Sequence, residues 1–335
     1  MKLIELLSSE EACAKLFRHA RWANGLFCPI CGSKRVKGHG PYRHGLKRYK
    51  CKACKRTFND KTGTIFHYSR LSLKEWFMLI SLYLGLHNSC LSLSWLLERS
   101  YMTIFKALKK LILKLKFKLL KMEGSIEVDE TYIKAGLKGR NNSLRIKRLG
   151  RKPRHRGLKR RGRGSWHKDM PAIFILAERK GLEDYTPSSN VEAKTALRLI
   201  ERRIAKGSII YTDCFKAYSS LGEIGYRHEA VNHSIGEYAK GDCHVNGCEN
   251  RASLLKPWLA LHRDISKDNL GLYLIAFKAC RKARKLKPIE AIEKLLKEVI
   301  FLFLLLAIME RAYSSQIKLW SQNLYLRADL LMIKP

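Results

Sequence analysis

The sequence predicts an α/β protein in which a sheet-and-helix domain follows a small cysteine module and a helical segment. Three observations point there. Two C-x2-C pairs, Cys28 with Cys31 and Cys51 with Cys54, stand nineteen residues apart near the N-terminus. Helix-capping signals and apolar helical spacing recur over residues 66 to 122. From residue 126 onward, short runs rich in Ile, Val and Tyr alternate with amphipathic stretches, the pattern of strands interleaved with helices.

With 335 residues and 46% apolar composition, the chain is long enough to bury a core and to divide into two or three domains. Its charge is further from the ordinary: 66 Lys and Arg against 29 Asp and Glu give +37. That excess exceeds what solubility needs and implies a polyanionic partner. Its spread over several segments favours nucleic acid over a membrane surface. The N-terminal apolar run is too short for a secretory signal and lacks a small-residue cleavage site, so an intracellular protein is expected. There, four cysteines at paired spacing point to metal and not to disulfides.

Taken in order, a helix over residues 8 to 20 opens on Ser8 and Glu11 at capping-box spacing. Cys28, Cys31, Cys51 and Cys54 follow, with the spacing of a four-thiolate structural zinc site: two knuckles present two sulfurs each and close a tetrahedron, leaving no open position for catalysis. The segment between them reads as short strands turned at Gly38, Gly40 and Gly45, and His39 or His44 could stand in for a cysteine. Ser72 and Glu75 form a second capping box, opening a helix to about Leu86. A shorter helix near 91 to 98 and a basic one from Met102 onward follow it. These fit either a helix-turn-helix, with Thr103, Lys106 and Lys109 turned toward DNA, or a plain three-helix packing element.

Residues 126 to 133, Ile-Glu-Val-Asp-Glu-Thr-Tyr-Ile, read as a strand carrying acids that packing does not require. A strand in a chain this long is expected to be buried on at least one face, and a carboxylate there at Asp129 costs several kcal/mol unless a cation or donor meets it, although a strand-end aspartate capping a turn is the plainer reading. Residues 138 to 168 hold fourteen Lys and Arg and no acid. Such a run reads as a basic arm, with Arg160, Arg161 and Arg163 among its phosphate-binding candidates. A buried strand over 171 to 178, a helix over 191 to 206 and a strand over 208 to 212 lead to Asp213, at the strand end where α/β sheets place ligands. Beyond it, Asn246, Glu249, Ser253 and Lys256 fall on one stripe if this stretch is helical. Glu249 standing alone would be an ordinary helix-start carboxylate favoured by the dipole. The tail from 281 is basic and then apolar over Val299 to Met309, eleven residues where a bilayer span needs about twenty.

This order of features resembles the DDE transposases of bacterial and archaeal insertion sequences, in particular the zinc-ribbon-bearing group related to Merlin elements. The resemblance covers about residues 8 to 280. It rests on Trp22 to Cys31, Val128 to Tyr132, Thr212 and Asp213 with Lys216 to Tyr218, His228 with Asn232 to Ser234, and His244 to Gly247 with Glu249, Leu255 and Lys256. Two positions depart from the family pattern: Arg251 and Ala252 stand where aromatic residues are usual.

The resemblance implies an RNase H-like catalytic domain, a mixed sheet flanked by helices, with Asp129 and Asp213 on adjacent strands and Glu249 facing them. Converging carboxylates agree with this, because they repel unless divalent cations are shared, and hard oxygen ligands select magnesium or manganese. Two such ions and one structural zinc are the expected cofactors. The implied activity is cleavage at element ends and joining of 3′ ends to target DNA, with Asn246 and Lys256 positioning phosphates. The partners are then double-stranded DNA, both terminal inverted repeats and target, and further copies of the chain in a homodimer or larger synaptic assembly. No membrane partner is expected, and the location is the cytoplasm, at the nucleoid. The domains expected are 1–65 (helix and ribbon), 66–122 (helical, DNA-binding), 123–280 (catalytic, with the arm) and 281–335 (tail). An RNase H-class nuclease or resolvase keeps the fold without strand transfer. A zinc-ribbon DNA-binding regulator would leave the three acids without a purpose.

Overall fold

The computed structural model describes residues 3–298 apart from 116–120, 137–163, 168, 180, 233–234, 238 and 263–264. The expected arm, with Arg160, Arg161 and Arg163, therefore lies almost wholly outside the described residues, as does the apolar tail from 299. The chain forms two compact units, one of residues up to Leu82 together with those from Leu286, the other Tyr83–Lys285. The division falls inside the helical stretch 66–122 and not at its ends.

In the first unit, helices α1 (Leu3–Ser8) and α2 (Glu10–Arg21) precede a three-stranded antiparallel sheet, β1 (Val36–Pro41), β2 (Lys47–Cys51) and β3 (Thr57–Asn59), and then α3 (Leu73–Ile80). The cap of α2 is Ser9, whose hydroxyl accepts from Ala12 N–H at 3.3 Å. Ser8, expected in that role, instead ends α1 and donates to the Glu5 carbonyl at 2.7 Å. A helix end already claims its hydroxyl, so the cap moves one residue on. The second capping box forms as expected: Ser72 Oγ accepts from Glu75 N–H and Glu75 Oε2 from Ser72 N–H. Glu10 adds a carboxylate to the same helix start, accepting from Leu73 N–H at 2.7 Å and Lys74 N–H at 2.9 Å. Past Ile80 the helix continues as a π turn over Ser81–Gly85.

Asp60 is a buried charge of this unit, fully enclosed at 0% exposure. It accepts from Trp22 Nε1 at 2.9 Å, Tyr49 OH at 3.0 Å, Lys47 N–H at 2.7 Å and both Nε and Nη2 of Arg18 at 3.2 Å. One carboxylate thus ties α2 to β2. Replacing it with Ala leaves those donors facing nothing, and Asp60→Ala is expected to cost about 3 kcal/mol, read as a lower denaturation midpoint. Asp60→Asn, which keeps acceptor capacity on one oxygen, should cost less.

The second unit opens with α4 (Cys90–Leu96) and α5 (Tyr101–Lys114), each capped by a serine hydroxyl, Ser89 and Ser100. Ile104, Leu108, Leu111 and Ile112 are buried, while Lys106 and Lys109 are exposed. Five strands then form one mixed sheet: β4 (Ser125–Tyr132), β5 (Ala172–Glu178), β6 (Glu183–Ser188), β7 (Ile209–Asp213) and β8 (Arg227–Val231), in the order β6-β5-β4-β7-β8. β5 runs antiparallel to both its neighbours, and β4, β7 and β8 are parallel. Side-chain alternation divides the work of β4. Ile126 and Val128 join Phe174, Leu176 and Ile210 in a core closed by Ala196 and Ile200 of α6 (Ala193–Arg203) and by Tyr218. Glu127, Asp129 and Thr131 turn to the opposite face. There α7 (Asn246–Leu261) packs on β4 and β5, and α8 (Lys267–Ala283) packs on β6. The result is a mixed sheet with helices on both faces, as expected for the catalytic domain. Among the described residues no helix is long and apolar enough to cross a membrane.

Candidate functional site

Two knuckles build the cysteine centre. The chain leaves Cys31 through Gly32 (φ 78°) and Cys54 through Lys55 (φ 61°), both left-handed, and so folds each C-x2-C back on itself. Within each knuckle an amide points at sulfur, Ile30 N–H to Cys28 Sγ and Cys54 N–H to Cys51 Sγ, both at 3.4 Å. Cys28 Sγ lies 3.7 Å from Cys54 Sγ and Cys31 Sγ lies 3.6 Å from Cys51 Sγ, with all four sulfurs within 4.8 Å of one another. A tetrahedron with zinc–sulfur arms of about 2.3 Å has edges of about 3.8 Å, so the cluster has the dimensions of a zinc–thiolate cage. His39 and His44 are exposed and lie outside it. Burial pushes the Cys28 thiol up to about 12, whereas the Cys54 amide holds Cys51 down to about 6. A dication would favour the thiolate at every one of the four. Trp22, Tyr49 and Phe58 pack around the cage, with Tyr49 stacked on Phe58 at 5.3 Å.

The acids sit on the sheet and the helix above it. β4 and β7 pair in parallel from Ser125 opposite Ile209 to Glu127 opposite Tyr211, so Asp129 and Asp213 each lie two residues past the last pair. Asp129 is half-buried, with Oδ1 accepting from Glu130 N–H at 2.7 Å; Asp213 Oδ1 accepts from Phe215 N–H at 3.1 Å. Glu249 stands exposed in the first turn of α7. Burial, above all, pushes the Asp129 carboxyl up to about 7, and the negative charges of Glu130, Asp213 and Glu249 add to the shift while the Glu130 amide opposes it. Asp213 and Glu249 thus both act on Asp129, while among the described residues only the four cysteines converge closely enough to form a ready metal cage. The end of β7 is held by Thr212, whose hydroxyl donates to the Asp213 carbonyl at 2.7 Å and lies 2.8 Å from His228 Nε2 on β8.

Two family models match this chain: a transposase zinc-ribbon domain over residues 8–57 and an ISXO2-like transposase domain over residues 121–278. A protein of the transposable element ISH50 from Halobacterium salinarum is 37% identical over 302 residues, 90% of this chain and 100% of that protein. The chain belongs to the ISXO2-like transposase family. A transposase-like protein from Haemophilus influenzae is 33% identical over 85 residues, 25% of this chain and 68% of that one. A solved structure of a pre-cleavage Mos1 transpososome aligns with a TM-score of 0.26 at 12% identity, covering 64% of this chain and 72% of that one. The resemblance read from the sequence, to zinc-ribbon-bearing DDE transposases of insertion sequences, is borne out.

This ISXO2-like transposase accommodates both departures in α7. Ala252 is buried, and Arg251 forms an ion pair with Glu183 on β6 at 3.0 Å while Nη1 donates to the Gly247 carbonyl at 2.8 Å. Glu183 also meets Arg281 of α8 at 2.6 Å. An ion-pair bridge thus stands where the family places aromatic packing. Asn246, Ser253 and Lys256 are exposed with Glu249, so the expected polar stripe of α7 faces solvent.

The raised Asp129 carboxyl has a stability consequence. Its folded value near 7 lies above the ordinary 3.8. The folded state then binds the proton more tightly than the unfolded chain between about pH 4 and 7, so the metal-free protein loses stability as pH rises through that window. Asp129→Asn removes the charge and keeps the oxygen that accepts from Glu130 N–H. Its unfolding free energy in chelator is expected to match the parent's near pH 4 and exceed it at pH 8, by a gap on the order of a few kcal/mol. A gap independent of pH would contradict the assignment.

Proposed function

We propose that this chain is the transposase of an insertion sequence that binds double-stranded DNA at the element's terminal repeats, cleaves phosphodiester bonds there and joins the 3′ ends to target DNA. The observation that carries the reading is the arrangement of the elements: Asp129 lies on β4, Asp213 at the end of the neighbouring β7, and Glu249 in the first turn of the helix packed on β4. The negative charges of Asp213 and Glu249 add to what disfavours ionisation of Asp129, and oxygen donors of this kind suit hard divalent cations.

Asp129, Asp213 and Glu249 would hold two magnesium or manganese ions. When bound, such ions activate an attacking water or 3′-hydroxyl and stabilise the leaving oxygen. The protein's own contribution is placement. In this reading β4 and β7 supply the two aspartates from adjacent strands, and the first turn of α7 supplies the glutamate. Asn246 and Lys256, exposed on that stripe, orient the scissile and flanking phosphates. Lys106 and Lys109 on the solvent face of α5 contact DNA, and Arg160, Arg161 and Arg163 add sequence-independent phosphate contacts. The four-cysteine ribbon carries one structural zinc and takes part in recognising element ends. Two ends handled in one event call for a homodimer or larger synaptic assembly, working at the nucleoid. In this scheme residues 1–65 and 66–122 bind DNA, 123–280 carry catalysis, and 281–335 form a tail with no role assigned.

The test is a cleavage and strand-transfer assay on DNA carrying the inverted repeats that flank the gene, in magnesium or manganese. Joined products are expected. Cleavage without joining would return the nuclease or resolvase reading, and binding without cleavage the regulator.

A further inference from the structure

Glu127 lies two residues before Asp129, on the same face of β4, and is 2% exposed. Its contacts reach across the chain. Oε2 accepts from Gly247 N–H at 2.6 Å and Cys248 N–H at 3.2 Å; Oε1 accepts from Arg179 Nε at 3.2 Å and lies 3.4 Å from His244 Nδ1. Gly247 and Cys248 are in the first turn of α7, and the helix has no side-chain cap of its own, its N-cap being Val245. Those amides carry the positive end of the helix dipole and would otherwise be unpaired within the helix. A carboxylate from a strand about 120 residues away in sequence thus does the work of a local cap.

The docking is close. A Cβ at position 247 would stand 2.6 Å from Glu127 Oε2, so glycine is what lets the helix start approach. A second anchor lies beside the first: Cys248 Sγ meets the carbonyl of Ile175 at 3.4 Å, and Ile175 is the residue paired with Asp129 across β4 and β5. The start of α7 is therefore pinned at two points flanking Asp129 in the sheet, and the next residue in the chain is Glu249. Arg179, stacked over Tyr211 at 4.2 Å, compensates the charge on Glu127 and holds it in place.

We propose that Glu127 is a positioning residue that pins the first turn of α7 to β4 and thereby sets Glu249 against Asp129. It touches neither DNA nor metal. The inference rests on the reading of Asp129, Asp213 and Glu249 as one metal-binding unit, and the experiment separates the two. Supporting groups of this kind commonly change metal affinity by about 10–100-fold when altered.

The zinc-loaded full chain is compared as parent, Glu127→Gln, Asp129→Asn and Tyr226→Phe. Tyr226, whose buried hydroxyl donates to the Ile204 carbonyl at 3.1 Å, controls for loss of an internal hydrogen bond in the other face's core. Two quantities are read without any cleavage assay: Mn2+ binding by titration, and amide hydrogen exchange over residues 243 to 255. Glu127→Gln should weaken Mn2+ binding about tenfold or more and speed exchange at Gly247 and Cys248, and Tyr226→Phe should leave both at parental values. Glu127→Asp, which keeps the charge but shortens the reach, should fall between. Parental Mn2+ affinity in Glu127→Gln overturns the proposal, and faster exchange with unchanged affinity reduces Glu127 to a structural cap. Parental Mn2+ affinity in Asp129→Asn would show instead that the metal-site reading had failed.

Discussion

Asp129→Asn, Asp213→Asn and Glu249→Gln are each expected to lower cleavage and strand transfer of terminal-repeat DNA to background, on the order of 10⁴-fold or more, with the triple variant no lower than any single one. Two ions held by shared ligands, as proposed, would make the unit non-additive: losing one carboxylate would displace an ion that the remaining two could not hold alone. Gel-shift binding to the same DNA should persist in all three, because none of these substitutions removes a group proposed to meet phosphate. Asp242→Asn is the suitable neighbouring control, since Asp242 is exposed and it is its backbone carbonyl that accepts from Arg179. Glu130→Gln is not an innocent comparison. Glu130 accepts from the buried hydroxyl of Tyr218 at 2.9 Å, and its charge helps hold up the Asp129 carboxyl. Its loss should shift the pH dependence without abolishing the reaction. Normal cleavage by Asp129→Asn, or a dead Asp242→Asn, would sink the catalytic assignment.

What could be read from the sequence follows the range of each interaction. The C-x2-C pairs and the Ser72 and Glu75 box are local patterns whose geometry follows from spacing, and the structure builds both. β4, β5 and β7 were legible because central strands bury both faces and so carry apolar runs. β6 and β8 were not. As edge strands they hold Glu183, Asp184, Arg227 and Glu229, and β6 includes Pro187, which an edge tolerates and a central strand does not. Glu183 and Asp184 sit there because Arg251, Arg281, Arg203 and Lys278 reach them from helices distant in sequence. α8 also escaped notice: Ser266 caps it with no side-chain bond, and its buried residues reach well round the helix and leave no clear polar face.

Glu127 is the instructive omission. Within Ile-Glu-Val-Asp-Glu-Thr-Tyr it looks like Glu130, and composition cannot separate them. Strand parity does: residue 127 shares a face with Asp129, and residue 130 shares the core-facing side with Ile126 and Val128. A second carboxylate on the face of a suspected catalytic aspartate is therefore a signal for a buried partner. What that partner is, the amides of a helix about 120 residues on, depends on tertiary pairing that no local pattern encodes.

Cys51→Ser should release the zinc and unfold the ribbon while leaving the sheet domain intact. The expectation rests on proportion. The ribbon's own core is Cys28, Tyr49, Cys51 and Phe58 with a few half-buried neighbours, so two of its four buried members are proposed metal ligands. A module that small has little apolar surface to bury, and the free energy of binding zinc, about 10–16 kcal/mol for comparable sites, is most of what folds it. Serine removes the sulfur that its amide neighbours hold ready as thiolate, and three ligands with a hydroxyl make a far weaker cage. Metal analysis of the purified parent should give one zinc per chain, and of Cys51→Ser close to none. Hydrogen exchange should rise across 28 to 59 but stay slow in β4, β5 and β7, whose core is built of other residues. Recognition of element ends should fall while weak, salt-sensitive binding to any duplex survives on the remaining cations. Zinc retained at one per chain in Cys51→Ser would remove the metal from this centre, and with it the account of why so small a sheet is folded.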